Sequence, residues 1–351
     1  MENTVTSPAT GAEKTAFVIN DPSVIKAPLN SKSGQVLPLL VKPAAGNVNL
    51  VEWLQANRES FDADLIQHGG ILLRGFGIET VEDFNTFMKC FNTEPLPYMF
   101  RSSPRKELDQ SIKNIYTSTI YPNERTINMH NESSYSRVWG KKIVFCCITP
   151  AAEGGETPIA DSRRVLAAIS PATREKFRKK GVKYRRNLFP DLGMPWQEVF
   201  QTEDVAVAEE ICKKNNIQFR FVQKDQMVIE WTKPAIYRHP VSQEETWFNH
   251  VMFFNKYARY EELGLEADDF LPAEYLTSET FFADGEEISY QEYAEIRNAY
   301  EQNKVVFPYQ KGDIIFLDNM LAAHGRNPYK GNRTIATAII EPAYDQNDFA
   351  G

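Results

Sequence analysis

The chain has 351 residues, a formal net charge of -8, 42% hydrophobic residues and 25% charged residues, which indicates a folded globular protein with a sizeable core. An acidic chain without a basic run is a poor partner for nucleic acid or for an anionic membrane surface. The sequence has no apolar run that could span a bilayer, no signal peptide, and no C-x-x-C pair among its four cysteines. We therefore expect a cytoplasmic protein that binds neither nucleic acid nor membranes.

The chain begins with a tail and continues with two helical regions. Residues 1–15 are rich in Thr, Ala, Ser and Gly without periodicity, as in a flexible tail. A helical region is predicted between the Asn49 cap and the glycine pair at 69 and 70, and the short strand Ile71–Leu73 follows it. A second helix is predicted to begin at the Thr80 cap, and its phenylalanines at helical spacing are typical of a buried stripe: Phe84, Phe87 and Phe91.

Strand patterns and helix signals alternate in the middle of the chain, and strands return at its end. The runs "KKIVFCCIT" and "TPIAD" predict strands, and helices are expected to begin at Ser170, Thr202 and Ser289. The strand patterns "FRFV" and "QMVIEW" lie among these helices. The runs "DIIFLDN" and "RTIATAII" return to sheet, and the second places alternate residues on one face: Arg333, Ile335, Thr337 and Ile339.

This order of elements predicts a mainly β protein with surrounding helices, built on a double-stranded β-helix core of the jelly-roll or cupin type. A β core that is entered early, interrupted and completed at the end fits that architecture better than a doubly wound α/β sheet. We expect residues 16–351 to form a single domain with a mixed insertion at about residues 166–300, which supplies a lid and substrate contacts. The dinucleotide-binding and P-loop signatures are absent from the sequence.

The segment "INMHNESSYS" contains two metal-ligating residue types one residue apart, His130 and Glu132. If the segment is extended, both side chains point to the same face of the strand. His324 follows the predicted strand "DIIFLD" in a turn-rich segment, from which its side chain could project into a barrel mouth. Two imidazoles and one carboxylate leave open positions on a metal, the arrangement of non-haem Fe(II) oxygenases.

Two further residues suit a dicarboxylate that chelates such a metal. Arg333 begins an otherwise apolar strand face, where an uncompensated guanidinium is costly and a carboxylate partner is favoured. Guanidinium binds carboxylate in a bidentate geometry, which suits the far carboxylate of 2-oxoglutarate. Thr157, in "EGGETPIAD", can add a hydroxyl hydrogen bond to the same carboxylate.

Two other classes of protein remain open from the residues alone. A zinc hydrolase could use two histidines and a glutamate to activate water, but H-E-x-x-H is absent and Arg333 and Thr157 would then have no task. A jelly-roll binding protein could carry the same histidines as structural residues around a ligand cavity. Metal content separates the binding protein from both enzymes.

Several motifs of the chain resemble those of the TauD/TfdA family, the taurine dioxygenase and clavaminate synthase-like oxygenases that use Fe(II) and 2-oxoglutarate. The matching segments are "IYTSTIYP", "HNESSYS", "GGETPIADSR", "TWFNH" and "DNMLAAHGRNPYKGNR". They are most similar to the branch typified by the aspartyl hydroxylase of syringomycin biosynthesis, and the similarity extends from about residue 70 to residue 342.

The resemblance implies an iron site with its co-substrates. His130, Glu132 and His324 would ligate Fe(II), Arg333 and Thr157 would bind 2-oxoglutarate, and O2 would take the last open position. Glu132 stands where many members have aspartate and where the related halogenases have a small residue, so it favours hydroxylation or another oxidation over halogenation. Thr337 replaces the second arginine with which taurine dioxygenase holds a sulfonate, which argues against taurine as substrate.

The resemblance also implies a substrate class. We expect an amino acid or amino-acid-derived molecule, free or tethered to a carrier protein, that is hydroxylated in specialised metabolism such as antibiotic biosynthesis. Desaturation or cyclisation by the same cofactor chemistry is the alternative outcome. The residues expected to contact the substrate come from three of the matching segments: Ser134, Tyr135, Asn249, His250 and Arg326. His250 stands where the branch commonly has glutamine. The alternative to substrate contact for His250 is a structural role on the sheet.

Overall fold

The architecture was analysed in a computed structural model, which describes residues 21–29, 36–97, 100, 105–109, 111–223 and 225–345. The tail predicted at residues 1–15 lies outside the described residues. Among the helices formed by the described part of the chain, none has the length and apolar character needed to cross a membrane.

The described residues form β-strands and α-helices, numbered here in chain order. The strands are β1 Val24–Pro28, β2 Leu39–Pro43, β3 Gly70–Leu73, β4 Glu107–Asp109, β5 Ile112–Thr117, β6 Ile127–His130, β7 Val138–Thr149, β8 Glu153–Gly154, β9 Ile159–Asp161, β10 Val182–Leu188, β11 Gln218–Gln223, β12 Gln226–Lys233, β13 Ile236–Arg238, β14 Glu245–Trp247, β15 Ser278–Phe281, β16 Lys304–Val305, β17 Ile314–Asp318, β18 Ala322–Arg326, β19 Tyr329–Lys330 and β20 Thr334–Tyr344. The helices are α1 Leu50–Ala56, α2 Arg58–His68, α3 Val81–Met88, α4 Ser162–Ala168, α5 Pro171–Lys180, α6 Trp196–Phe200, α7 Val205–Lys214, α8 Val251–Phe254, α9 Lys256–Leu263 and α10 Tyr290–Asn303.

Two sheets face each other around the central core. The larger has the strand order β1-β2-β3-β17-β7-β20-β5-β4, and the smaller has the order β16-β9-β18-β6. Buried side chains from both sheets form one apolar cluster, with Phe145 and Ile335 from the large sheet and Ile159 and Ala322 from the small one. The interior is therefore closed by two packed β layers, which agrees with the predicted jelly-roll core.

The outer face of the large sheet is covered by the N-terminal helices, and the phenylalanine stripe was predicted correctly. Phe84 and Phe87 are fully buried, and Phe91 is 3% exposed. All three pack with Phe61 and Phe316 in the cluster beneath these helices. The single helical region predicted before β3 is in fact two helices, because the chain breaks at Asn57 between α1 and α2.

Strand β20 shows why the C-terminal pattern alternates. Ile335 and Ile339 point into the core between the two sheets, whereas Ala336, Ala338 and Ile340 face the helices on the other side of the large sheet. Side chains of successive strand residues point to opposite faces, so a strand buried on both faces is apolar almost throughout. The predicted face of Ile335 and Ile339 is confirmed.

A second layer, in which helices and strands are mixed, lies between β9 and β16, residues 162–303. It carries its own four-stranded sheet in the order β11-β12-β10-β15 and most of a second apolar core, which a few residues of the jelly roll also join. Two predicted helix starts are confirmed: Ser170 caps α5, and Ser289 forms a capping box with Glu292 at α10. The start predicted at Thr202 is wrong.

The helix near Thr202 begins two residues later, at the Asp204 cap of α7. The Asp204 carboxylate accepts the Ala206 N–H at 2.8 Å, whereas the Thr202 hydroxyl accepts the N–H of Asp204 itself at 3.1 Å. Thr202 therefore stabilises the turn before the helix, and the stronger acceptor caps the helix.

Candidate active site

His130 and His324 face each other across two neighbouring strands of the small sheet. Strands β6 and β18 are antiparallel with His324 opposite His130, and the two ring centroids are 4.5 Å apart. His324 was predicted to lie in a turn-rich segment, but it lies within strand β18. The glycine after His324 allows the two strands to pair, because a Cβ at Gly325 would lie only 2.7 Å from the Ile127 carbonyl oxygen.

Glu132 reaches the two histidines from a turn and not from a strand. Strand β6 ends at His130, so the expectation that strand alternation aligns His130 with Glu132 is wrong. Ser133 has a φ of +54°, and this left-handed residue turns the chain directly after Glu132. The ligand atoms of the three side chains nevertheless lie within 4.8 Å of one another, and all three residues are buried.

Asn319 holds the Glu132 turn in place. Its Oδ1 accepts the Glu132 N–H at 2.7 Å, and its Nδ2 donates to the carbonyl oxygens of Glu132 at 2.9 Å and Gly140 at 2.8 Å. The neighbouring Asn131 donates back to the Asn319 carbonyl at 2.7 Å. Asn319 directly follows β17, a strand of the large sheet. A residue of the large sheet therefore fixes the turn that places the Glu132 carboxylate beside the small sheet.

Replacing Asn319 with alanine is expected to destabilise the metal-free fold by about 3 kcal/mol, because three buried backbone groups lose their partner. Metal affinity should fall by roughly 10- to 100-fold, as when a supporting group around a metal ligand is removed. Urea denaturation and metal titration measure the two effects. Asn303→Ala, which removes a bond to the Ala299 carbonyl in α10 and a bond from the Arg164 guanidinium, is the control; equal metal affinity in both variants would contradict this role of Asn319.

The protonation states of the three side chains suit a divalent metal. Burial, together with the nearby His324 imidazole, lowers the pKa of His130 to about 3. Burial likewise lowers the pKa of His324. Burial by itself would raise the pKa of Glu132, but the Arg105 guanidinium and the two imidazoles hold the pKa of this carboxyl well below its usual range. Two neutral imidazoles and one carboxylate are the forms that bind metal.

The tautomer of His130 also favours metal binding. Its Nδ1 lies 2.7 Å from the Asn128 carbonyl oxygen, and a carbonyl can only accept, so Nδ1 carries the proton and Nε2 keeps its lone pair. A second hydrogen bond of this kind is the usual support of a metal-bound imidazole. For His324, Nε2 is the atom that lies nearest Glu132, at 3.7 Å from its Oε2.

Arg105 is a part of the site that the sequence did not reveal. Its Nη2 lies 2.5 Å from the Glu132 Oε2, and the two side chains are 4% and 2% exposed. Arg105 also lines the cavity beside the histidines. The segment around it, "SSPRKE", has no spacing or periodicity that would have identified it.

Arg333 and Thr157 open onto the same cavity as His130 and His324. The Nε of Arg333 donates to the Gly155 carbonyl at 2.8 Å, and its Nη1 donates to the Ser118 hydroxyl at 3.0 Å. Within the described part of the chain its Nη2 has no hydrogen-bond partner. The cavity has a volume of about 360 Å³, including the part open to solvent.

Tyr309 orients the Thr157 hydroxyl, and it too was missed in the sequence. The Tyr309 hydroxyl donates to Thr157 Oγ1 at 2.8 Å, and the Arg333 guanidinium lies 5.9 Å from the Tyr309 ring centroid. Because Thr157 accepts this bond, its own proton is available for an acceptor in the cavity. Tyr309 lies in the run "FPYQK", which has no strand pattern. Only the tertiary structure therefore links Tyr309 to Thr157.

The residues expected to contact substrate divide into two groups. Arg326 lines the cavity, but its guanidinium already donates to three backbone carbonyls, those of Tyr121, Pro122 and Arg125. The other four are buried and bond within the protein: Ser134, Tyr135, Asn249 and His250.

Each of these buried residues has an internal partner. The Ser134 hydroxyl lies 3.1 Å from His250 Nδ1, and the Tyr135 hydroxyl donates to the Phe100 carbonyl. Asn249 donates to the Ala235 carbonyl and accepts the Val251 N–H. The His250 ring packs edge-on against His130 at 5.1 Å between centroids. Of these four residues, His250 thus packs against a candidate metal ligand, and direct substrate contact by any of them stays a prediction.

The fold and the site together define a jelly-roll oxygenase of the non-haem Fe(II)/2-oxoglutarate class. The family model described as "Taurine catabolism dioxygenase TauD, TfdA family" matches residues 35–338. The chain therefore belongs to the TauD/TfdA family, which confirms the resemblance seen in the sequence and the predicted class of enzyme.

Relatives agree with this membership, and a solved structure agrees with the fold. The chain is 34% identical to the dapdiamide synthesis protein DdaC of Enterobacter agglomerans over 87% of this chain and 91% of that protein. It is 25% identical to a clavaminate synthase-like protein of Arabidopsis thaliana over 91% and 93% of the two chains. PvcB of Pseudomonas aeruginosa has a similar fold, with a TM-score of 0.55 and 15% identity over 93% of this chain and 94% of PvcB.

Proposed function

We propose that this oxygenase couples the oxidative decarboxylation of 2-oxoglutarate to the hydroxylation of an unactivated carbon in an amino acid or amino-acid-derived substrate. The observation that carries the proposal is the shared cavity, in which two histidines beside Glu132 and the guanidinium of Arg333 meet. A hydrolytic metal site has no need of a carboxylate-binding arginine opposite its ligands. The membership of a dioxygenase family further supports oxidation.

The donor set fits Fe(II). His130, Glu132 and His324 would hold the metal with imidazole and carboxylate donors, and other positions would stay open for 2-oxoglutarate and O2. The bound iron would activate O2 with electrons from 2-oxoglutarate, which leaves as succinate and CO2. The protein supplies binding, orientation and exclusion of water around that chemistry.

The residues opposite the metal ligands would orient 2-oxoglutarate. Arg333 is held rigidly by Gly155 and Ser118, so its Nη2 is directed at a carboxylate without loss of side-chain freedom. The Thr157 hydroxyl, turned by Tyr309, would donate a second hydrogen bond to the same carboxylate. Burial of Arg333 strengthens this pair, because the local dielectric is low.

The biosynthetic role of DdaC, named for dapdiamide synthesis, supports a substrate from specialised metabolism. We propose an amino-acid-like substrate, either free or tethered to a carrier protein, and a lid formed by the insertion at about residues 166–300. Desaturation or cyclisation remains the alternative outcome, since both can begin with removal of the same hydrogen. A zinc hydrolase is less well supported, because it gives Arg333 no task, and a jelly-roll binding protein is less well supported because the matching family is one of dioxygenases.

Anaerobic titration of metal-free protein with Fe(II) and then 2-oxoglutarate tests the site. We expect a weak visible charge-transfer band that saturates at about one equivalent of 2-oxoglutarate. Succinate formation on admission of O2 should follow, and an amino-acid panel should then show an oxygen-dependent gain in mass. A folded protein that gives neither band nor succinate would refute the proposal, and retention of stoichiometric Zn(II) with hydrolysis would favour the zinc enzyme.

A further inference from the structure

We infer that His239 is a positioning residue for the metal site: through Asp318 it fixes the turn at residues 318–321, which supports two of the three metal ligands. The inference rests on the proposed function, because the metal ligands belong to that proposal. His239 is not among the residues that line the cavity, so it acts through another group. It also gives the insertion, which contributes His239, a task besides that of a lid.

The hydrogen bonds of His239 define which ring nitrogen carries the proton. The residue directly follows strand β13 and is 3% exposed. Its Nδ1 accepts the N–H groups of Val241 at 3.3 Å and Ser242 at 3.0 Å. A ring nitrogen that accepts carries no proton, so the proton of the imidazole is on Nε2. This Nε2 lies 3.2 Å from the Asp318 Oδ2, and it therefore donates to that carboxylate.

Asp318, the last residue of β17, shapes the turn that leads into β18. Its Oδ1 accepts the N–H groups of Met320 and Leu321, both at 3.0 Å. Its other oxygen, Oδ2, accepts from His239. The two side chains are 4% and 6% exposed, so solvent does not replace a lost donor and the buried carboxylate depends on this bond. Without His239 the carboxylate is no longer held in the orientation that the turn requires.

The turn at residues 318–321 supports the metal ligands in two ways. Asn319 lies within it and binds the Glu132 backbone from both sides, because it accepts the Glu132 N–H at 2.7 Å and donates to the Glu132 carbonyl at 2.9 Å. Strand β18 begins at Ala322, directly after the turn, and carries His324. A displaced turn would therefore move the supports of Glu132 and His324 together.

Two substitutions separate this role of His239 from a role within its own hairpin. In His239→Asn the amide oxygen can replace Nδ1 as acceptor for Ser242, but the shorter side chain no longer reaches Asp318. In His239→Gln the amide N–H can replace Nε2 as donor to Asp318, but the Nδ1 acceptor is lost. We expect His239→Asn to bind Mn(II) about tenfold more weakly than wild-type protein, as when a supporting group around a metal ligand is removed. His239→Gln should retain most of the wild-type affinity.

Calorimetric titration with Mn(II) measures the affinities, and urea denaturation measures the stability of each variant. Equal Mn(II) affinity in His239→Asn and wild-type protein would overturn the inference. A larger loss of affinity in His239→Gln than in His239→Asn would also overturn it, because the hairpin and not Asp318 would then be the group through which His239 acts.

Asn187→Ala is the matched control. Asn187 is a buried polar residue of the same insertion, 5% exposed, and it donates to the carbonyls of Ala273 at 2.7 Å and Leu276 at 2.8 Å. Both partners lie within the insertion, so the variant should be less stable without a change in Mn(II) affinity. A loss of Mn(II) affinity equal to that of His239→Asn would mean that any damage to the insertion has this effect, and it would overturn the specific role of His239.

A second measurement uses the reciprocity of the effect. A coupling free energy between two sites acts equally in both directions, so Mn(II) binding must strengthen the contact between His239 and Asp318. The segment at residues 240–244 contains the two amide hydrogens that point to His239 Nδ1. Its hydrogen exchange should slow when wild-type protein binds Mn(II), and Mn(II) should have no such effect in His239→Asn. Unchanged exchange in wild-type protein would overturn the inference.

The proposed function fails in a different way. Absence of the Fe(II)/2-oxoglutarate band in wild-type protein that still binds Mn(II) would overturn the proposed oxygenase, and weaker Mn(II) binding by His239→Asn would then still support the role of His239 at the metal. A normal band together with unchanged Mn(II) affinity in His239→Asn would overturn only the role of His239.

Discussion

Replacement of Glu132 with alanine is expected to weaken Fe(II) binding by roughly a thousandfold, about 4 kcal/mol, and to abolish coupled oxidation. The reason is that the variant loses the single anionic ligand of a buried site whose other two donors are neutral imidazoles. Metal titration and measurement of succinate formation in O2 check the two effects. Full oxidation of substrate by Glu132→Ala would exclude Glu132 as a ligand.

The alanine variant also removes the carboxylate that faces Arg105, so it is expected to be less stable by about 3 to 5 kcal/mol. Circular dichroism must therefore show that the variant is folded before its loss of activity is interpreted. Glu132→Gln is the second variant, because its amide oxygen can still accept from Arg105 while the negative charge is gone. Glu132→Asp keeps the charge on a shorter side chain, and we expect it to retain part of the metal affinity.

Replacement of Arg333 with alanine is expected to weaken 2-oxoglutarate binding by about a hundredfold or more, since truncation of a buried charge pair costs roughly 2 to 5 kcal/mol. Iron should bind normally, because Arg333 is not among the three residues whose ligand atoms cluster. The charge-transfer band measures both, as its midpoint shifts to higher 2-oxoglutarate concentration while its amplitude at saturation is kept.

Lys330→Ala is the control for Arg333. Lys330 lies three residues earlier in the chain, but its side chain is 77% exposed and pairs with the exposed Glu153, so its loss should leave 2-oxoglutarate affinity unchanged. Arg333→Lys is expected to give an intermediate affinity, because an ammonium keeps the charge without the planar fork. A wild-type affinity in Arg333→Ala would mean that 2-oxoglutarate binds elsewhere in the cavity.

Local patterns predicted the elements whose physical cause is itself local. The Ser170 cap, the Ser289 capping box and the phenylalanine stripe that runs from α3 into the following 3-10 turn depend on spacing within one helix turn or two, and all three are present. The helix start predicted at Thr202 was wrong because two residues there could cap the helix. Both the Thr202 hydroxyl and the nearby Asp204 carboxylate are of the type that caps helices, and Asp204 is the cap. The break at Asn57 was missed for a related reason, since the apolar spacing continues across it.

The sequence predicted the types of donor group in the candidate site but not how the structure brings them together. Five histidines limit the choice of imidazole ligands, and a histidine near a glutamate can be recognised without a structure. The reason given for their alignment was nevertheless wrong, because Glu132 is carried by a turn. That turn depends on Asn319, which lies 187 residues away in the sequence.

The sequence by itself determined the class of fold and the set of donor groups, because residue types and their short-range periodicity carry that information. Only the tertiary structure decided which groups meet. The register that sets His324 opposite His130, the clamp of Asn319 on Glu132 and the contact of Arg105 with the same carboxylate all join distant segments. Such contacts depend on strand register and on packing between two sheets, and neither leaves a mark on the local spacing of residues.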